Sequence, residues 1–224
     1  MKYILVGGSG FIGKHFQNVL KSDVILNIDI NSGVFNSKFT KGDILDDRFF
    51  NEIDINTNED ITLIHLAAVH FDFQKQFFQT NVEGTKNVLR FVKSCANIKN
   101  YVFFSSVATY GNSEDGKSEK SIQDPINDYG KSKLEAEKLI LDWHKVNHNR
   151  KVIIIRPAVV FGEFNFGNVY NLIQQIKTGF FAIIGDGKNI KSIAYAKNVV
   201  DSVIFCLENI NEKLFIYNYC DYPQ

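Results

Sequence analysis

Lys2-Tyr3-Ile4-Leu5-Val6-Gly7-Gly8-Ser9-Gly10-Phe11-Ile12-Gly13 stands almost at the N-terminus and combines two signals. The short continuous apolar run over residues 2–6 reads as a strand covered on both faces, as in a parallel sheet between helix layers. Glycines at 7, 10 and 13 follow it directly, and residues 11–20 then carry apolar side chains at helical spacing. Glycine permits a tight turn and lets a ligand approach the backbone closely. A helix that begins there offers free N–H groups and a partial positive charge to a pyrophosphate. Gly7, Gly10, Phe11, Ile12 and Gly13 are therefore expected to contact a dinucleotide.

Outward from this unit the same alternation continues. Apolar runs predict strands over 24–28, 62–66, 100–105, 151–156 and 214–217, and helical periodicity predicts helices over 82–96 and 129–144. Alternating β and α units predict a doubly wound α/β fold with a parallel sheet. Residues 111–127 read as a polar surface loop. Asp29 ends the second strand about 20 residues beyond the glycine turn, where a carboxylate binds a ribose 2′-hydroxyl. It would repel a 2′-phosphate, so NAD is expected over NADP. Asp43, with Ile44, stays open to two readings: a contact near the adenine, or an N-cap for a helix around 46–53. Leu66, Ala67 and Ala68 would let the cofactor lie against the backbone.

Composition narrows the function. In 224 residues, Lys+Arg and Asp+Glu both number 25, which gives no broad pull toward nucleic acid or acidic membranes. No apolar run approaches the roughly 20 residues of a membrane span. The first apolar run is too short for a signal peptide. Cys95, Cys206 and Cys220 show no CxxC spacing and read as small buried hydrophobes in a reducing cytoplasm. His144 and His148 are i, i+4 but lack the HExxH glutamate, so no metal is expected. Residues 71–78 (FDFQKQFF) read as core plus helix surface, or as a substrate-side platform. Glu135 and Glu137, among Lys131, Lys133 and Lys138, read as a solvated helix face.

Two polar constellations carry chemistry. Tyr129 and Lys133 are four residues apart and project from one helix face. An ammonium beside a phenol, helped by an oxidised nicotinamide cation, favours the phenolate, which would make the tyrosine a general base for an alcohol. Ser106 follows the strand over 100–105, at the sheet edge where ligands bind in open α/β folds. Its hydroxyl would polarise the reacting oxygen.

Together these residues resemble the extended short-chain dehydrogenase/reductase family, in its NAD-dependent nucleotide-sugar epimerase/dehydratase branch. The resemblance runs through Gly7–Gly13, Asp29, residues 42–44, 65–68, 81–85 and 105–111, Tyr129–Lys133, residues 156–162 and 185–187. It implies a Rossmann-type sheet over residues 1–162 and a small substrate lobe over 163–224, with segments returning to the sheet. The chain stops soon after the last strand, so the lobe is expected to be truncated. The resemblance implies Ser106, Tyr129 and Lys133 as catalytic residues. Asn81, Tyr129, Lys133 and Pro157 would contact NAD, and His70, Asn168 and Lys191 the nucleotide-sugar. The family's 4,6-dehydratases carry an Asp-Glu pair where this chain has Val107 and Ala108, which disfavours dehydration. The expected activity is a nucleotide-sugar 4-epimerase in a cytoplasmic homodimer, with no nucleic-acid or membrane partner. Alternatives are a 4-keto-sugar reductase and a non-catalytic dinucleotide sensor.

Overall fold

The computed structural model describes residues 1–33, 38–70, 76–112, 116–182, 186–187 and 190–222. Seven parallel strands form one sheet: β1 (Lys2–Val6), β2 (Val24–Asp29), β3 (Phe39–Lys41), β4 (Ile61–His65), β5 (Ile98–Phe104), β6 (Lys151–Pro157) and, after two short strands outside it, β9 (Leu214–Tyr219). Their order is β3-β2-β1-β4-β5-β6-β9, so the direction of travel reverses between β1 and β4. Ligands bind at such a switch point, beyond the C-terminal ends of the strands.

Continuous Val/Ile strands require cover on both faces. On one side α2 (Gly84–Ser94) and α3 (Asp128–Val146) pack Val88, Phe91, Val92, Ala136 and Ile140 against the sheet. On the other, α1 (Phe11–Leu20) and α5 (Ala196–Asn209) supply Phe16, Leu20, Val199, Val200 and Val203. Phe16 is fully buried and meets Phe104 edge-on, ring centroids 5.8 Å apart. Truncation of such an anchor costs about 3–5 kcal/mol.

The doubly wound parallel sheet is as expected, and several elements differ from the sequence reading. The strand β3 is only three residues long and carries no apolar run, so nothing in its sequence announces it. The helix expected over 46–53 is a single 3-10 turn at Phe49–Glu52. Asp43 does not cap it; its Oδ1 accepts from the Leu45 N–H at 2.9 Å, closing a local Asx turn. The helix over 82–96 begins earlier, as one π turn at Gln79–Glu83 that runs into α2. The loop over 111–127 is not simply solvated: Lys117 O and Glu119 Oε1 accept from the Asn218 side chain and backbone on β9. Cys95 is half-buried, Cys206 buried and Cys220 exposed, so the expectation of three buried thiols fails for Cys220.

Beyond β6 the packing changes. The strands β7 (Val159–Phe161) and β8 (Ile193–Tyr195) pair in a separate two-stranded sheet. Between them α4 (Asn168–Lys177) buries none of its side chains. The helix α5 and strand β9 then return to the main sheet.

Candidate active site

The glycine turn lies at the switch point. Gly7 has φ +86°, and a Cβ there would lie on the Ala67 backbone. Only glycine brings the β1 end this close to the β4 end. Leu66 and Ala67 both donate their N–H groups to Val6 O, which holds residues 66–68 beside the turn. The first turn of α1 contains Phe11, Ile12 and Gly13, with Gly10 at the N-cap; no side chain caps it and no acid occupies it. Its amide donors and dipole suit a diphosphate. Asp29 Oδ2 accepts from Ser9 N–H at 2.9 Å and Oδ1 from Asn31 N–H at 3.0 Å. The carboxylate is thus fixed against the turn, with lone pairs left for a ribose. These donors and acceptors fit a dinucleotide without a 2′-phosphate. Ile44 is buried beneath Gly84 and belongs to the core, while Asp43 is exposed.

The catalytic candidates converge beyond the end of β5. Ser106 is extended (φ −162°, ψ 151°), and its Oγ caps a 3-10 turn at Val107–Tyr110 by accepting from Ala108 N–H at 3.1 Å. Asn127 caps α3, its Oδ1 accepting from Gly130 N–H at 2.8 Å. A Cβ on Gly130 would overlap the Ala108 carbonyl oxygen, so glycine lets α3 start against the Ser106 turn. Tyr129, next to it, lies near enough to the Ser106 side chain for that group to lower its pKa. Lys133, one helical turn on, is buried; its Nζ donates to Phe104 O at 2.7 Å and stands 4.8 Å from the Phe103 ring centroid.

The electrostatics correct the sequence argument. Burial raises the Tyr129 phenol above its ordinary pKa, and the Ser106 side chain opposes that rise. Burial also pulls the Lys133 ammonium down to about 7, with the Glu137 charge opposing it. The lysine is therefore only partly charged at neutral pH, and its hydrogen bond goes to a backbone carbonyl. His65, at the end of β4, is lowered to about 3 by burial and then by Lys133, so it is neutral; its Nδ1 meets Tyr101 Oη at 2.8 Å. His70 is lowered by burial and then by Lys133, which places it within reach of that charge.

Other expected residues take different places. Asn81 is buried in the π turn. Its Oδ1 accepts from Val69 N–H at 2.9 Å, and its Nδ2 donates to Val69 O at 3.0 Å and Ser132 Oγ at 2.9 Å. Its amide clamps the β4 loop to α3. Pro157 is buried at the end of β6. Asn168 and Lys191 are exposed, in the region around α4. Of the aromatic run, residues 71–75 lie outside the described residues; Phe77 meets the Tyr129 ring at 6.4 Å and Phe78 is exposed. Gly185, in the segment 185–187, also lies outside them. His144 Nε2 meets Arg150 O at 3.1 Å. Among the described residues no group of three His, Cys, Asp or Glu side chains could hold a metal. Nor does any described helix have the length and apolar character to cross a membrane.

Sequence reasoning misplaced Glu137. Expected on a solvated face, its side chain is 1% exposed and paired with Arg156 of β6 at 2.6 Å. Its i, i+4, i+8 spacing with Lys133 and Tyr129 was the available signal.

A family model described as the NAD dependent epimerase/dehydratase family matches residues 3–219. An Escherichia coli O157:H7 protein, N-acetyl-alpha-D-glucosaminyl-diphospho-ditrans,octacis-undecaprenol 4-epimerase, is 38% identical over 226 residues, covering 98% of this chain and 67% of its own. The dTDP-D-glucose 4,6-dehydratase of Dictyostelium discoideum is 30% identical, covering 90% of this chain and 54% of its own. This chain therefore spans about half to two thirds of the length of these two relatives. The structure of UDP-glucuronic acid 4-epimerase from Bacillus cereus, in complex with UDP-glucuronic acid and NAD, matches with a TM-score of 0.83 at 23% identity. That match covers 100% of this chain and 78% of the other, and it bears on the fold alone.

Proposed function

The chain belongs to the NAD dependent epimerase/dehydratase family, and from that membership we propose that it inverts the C4 hydroxyl of an N-acetylhexosamine held on a diphosphate. The observation that carries this reading is the assembly of Ser106, Tyr129 and Lys133 at the sheet edge beside the glycine turn. Support for C4 inversion over dehydration comes from Val107 and Ala108, which offer no carboxylate beside Ser106 for eliminating water. The 38% identical relative, a 4-epimerase of a diphospho-linked N-acetylglucosamine, supports the sugar class.

In this reading residues 7–13 and Asp29 hold NAD, which supplies reversible two-electron redox chemistry when bound. Ser106 Oγ, oriented by Ala108 N–H, hydrogen-bonds the C4 oxygen. Tyr129 takes the proton from that oxygen and later returns one. Its phenol begins above the ordinary range, so added positive charge would have to lower it, and the charged fraction of Lys133 is the part this chain supplies. Lys133, held on Phe104 O, would hold the ribose. Asn81 keeps the loop after β4 locked to Ser132.

The test presents the purified chain and NAD with UDP-N-acetylglucosamine in one arm and the polyprenyl-diphosphate-linked sugar in the other. The expected result is the C4 epimer in at least one arm, seen by proton NMR, with no net NADH consumed. The two arms separate a nucleotide carrier from a lipid one. No epimer in either arm, or stoichiometric NADH loss with a 4-keto-sugar, would contradict the proposal.

A further inference from the structure

Glu137 lies one helical turn beyond Lys133 and two beyond Tyr129, so the three share a face of α3. Its carboxylate accepts from Arg156 Nε at 2.9 Å and Nη2 at 2.6 Å, from Gln123 Nε2 at 3.1 Å, and from Ser105 Oγ. Arg156 Nη1 continues to Tyr110 Oη at 2.6 Å, and Tyr110 Oη donates to Asn218 Oδ1 at 2.8 Å. One buried ion pair therefore ties together α3, the end of β5, β6, the Ser106 turn and β9.

Stability is a poor reason for this arrangement. Apolar residues of equal volume often replace a buried ion pair without loss, because desolvating two charges costs so much. What the pair fixes is position. Ser105 adjoins Ser106, Tyr110 closes the turn that Ser106 caps, and Glu137 and Lys133 stack along one helix. We propose that Glu137 is a positioning residue for the reaction: it locks the β5 end bearing Ser106 to the α3 turn bearing Lys133. This rests on the catalytic reading above.

Charged and titratable groups from several elements face Lys133. His65 at the end of β4 and His70 beyond it both feel its charge, and Tyr129 lies one turn back on α3. Glu137 is the carboxylate that acts on it. Arg156 neutralises part of that field from β6, and burial works against its own charge, yet the hydrogen bonds to Glu137 and Tyr110 leave its pKa raised.

Glu137→Gln preserves shape and removes charge. In 13C-lysine-labelled protein the Lys133 Cε resonance, assigned with Lys133→Arg, should titrate about one pH unit lower in the variant than in the wild type. With substrate and NAD, kcat should fall about tenfold or more while KM stays within about twofold. The alkaline limb of the kcat profile should move down with the lysine. An unchanged lysine midpoint with unchanged kcat overturns the proposal, whatever happens to Tm. Should Glu137→Gln fail to fold, Ser105→Ala keeps the ion pair and removes only the hydroxyl. It should lower kcat about threefold to tenfold and speed amide exchange at Ser106; wild-type values for both would refute the positioning role. A wild-type chain that inverts neither sugar sinks the catalytic reading separately, because the lysine titration and amide exchange need no substrate.

Discussion

On the outer face of α3, Lys138 reaches Glu135 at 2.6 Å with side chains 57% and 47% exposed. On the inner face Arg156 reaches Glu137 at the same 2.6 Å, with side chains 4% and 1% exposed. Equal lengths conceal different physics. Water screens the outer pair, whose two long side chains lose entropy in holding it, so it contributes about 0–1 kcal/mol. The inner pair sits where an unpartnered charge has no water to turn to. The same helix thus has one face whose charges are replaceable and one whose charges are structural and, in our reading, catalytic.

The largest expected effect breaks the inner pair. Glu137→Ala should destabilise the chain by about 3–5 kcal/mol in urea unfolding, because it strands Arg156 in the interior. A cost below about 1 kcal/mol would erase the distinction between the two faces.

A middle-sized effect comes from Lys133. Its folded pKa of about 7 lies below the ordinary 10.5. Between those values the unfolded chain binds a proton that the folded chain lacks, so stability should rise with pH across that window. The slope from this group approaches about 1.4 kcal/mol per pH unit. His65 acts with the same sign lower down: its folded value of about 3 lies below 6.5, so stability should fall as pH drops through that range. Lys133→Met should flatten the upper slope in urea titrations, and an unchanged slope would mean that the ammonium is solvated. The smallest effect belongs to the outer face. Lys138→Ala should change stability by no more than about 0.5 kcal/mol, and a larger loss would make the outer pair more than decoration.

The same contrast explains what could be read from the sequence. Continuous apolar strands and the glycine turn are local signals: residues 2–13 announce a strand, a turn and a helix without help from elsewhere. Ser106, Tyr129 and Lys133 stand out in the sequence because their order and spacing form a pattern along the chain. Glu137 was assigned to the wrong face because a glutamate among lysines looks the same on either side of a helix. Its spacing with Tyr129 and Lys133 is the one local clue, and Arg156, contributed by a different strand, fixes which side it takes. The capacity of Asn81 was hidden for the same reason, since Val69 and Ser132 come from elsewhere in the fold. The strand β3 and the helices α4 and α5 were not anticipated. The first is too short to show periodicity. The helix α4 buries nothing, so the link between pattern and core is absent there. The elevated phenol of Tyr129 depends on burial, which no spacing encodes.

The claim on which the rest depends is that Tyr129 moves the proton at the reacting carbon. Its direct test is the rate of C4 inversion by Tyr129→Phe, with folding verified by circular dichroism and NAD binding measured in parallel. Turnover should fall by about 10²–10⁴-fold while NAD still binds. A variant that turns over at the wild-type rate would contradict the account.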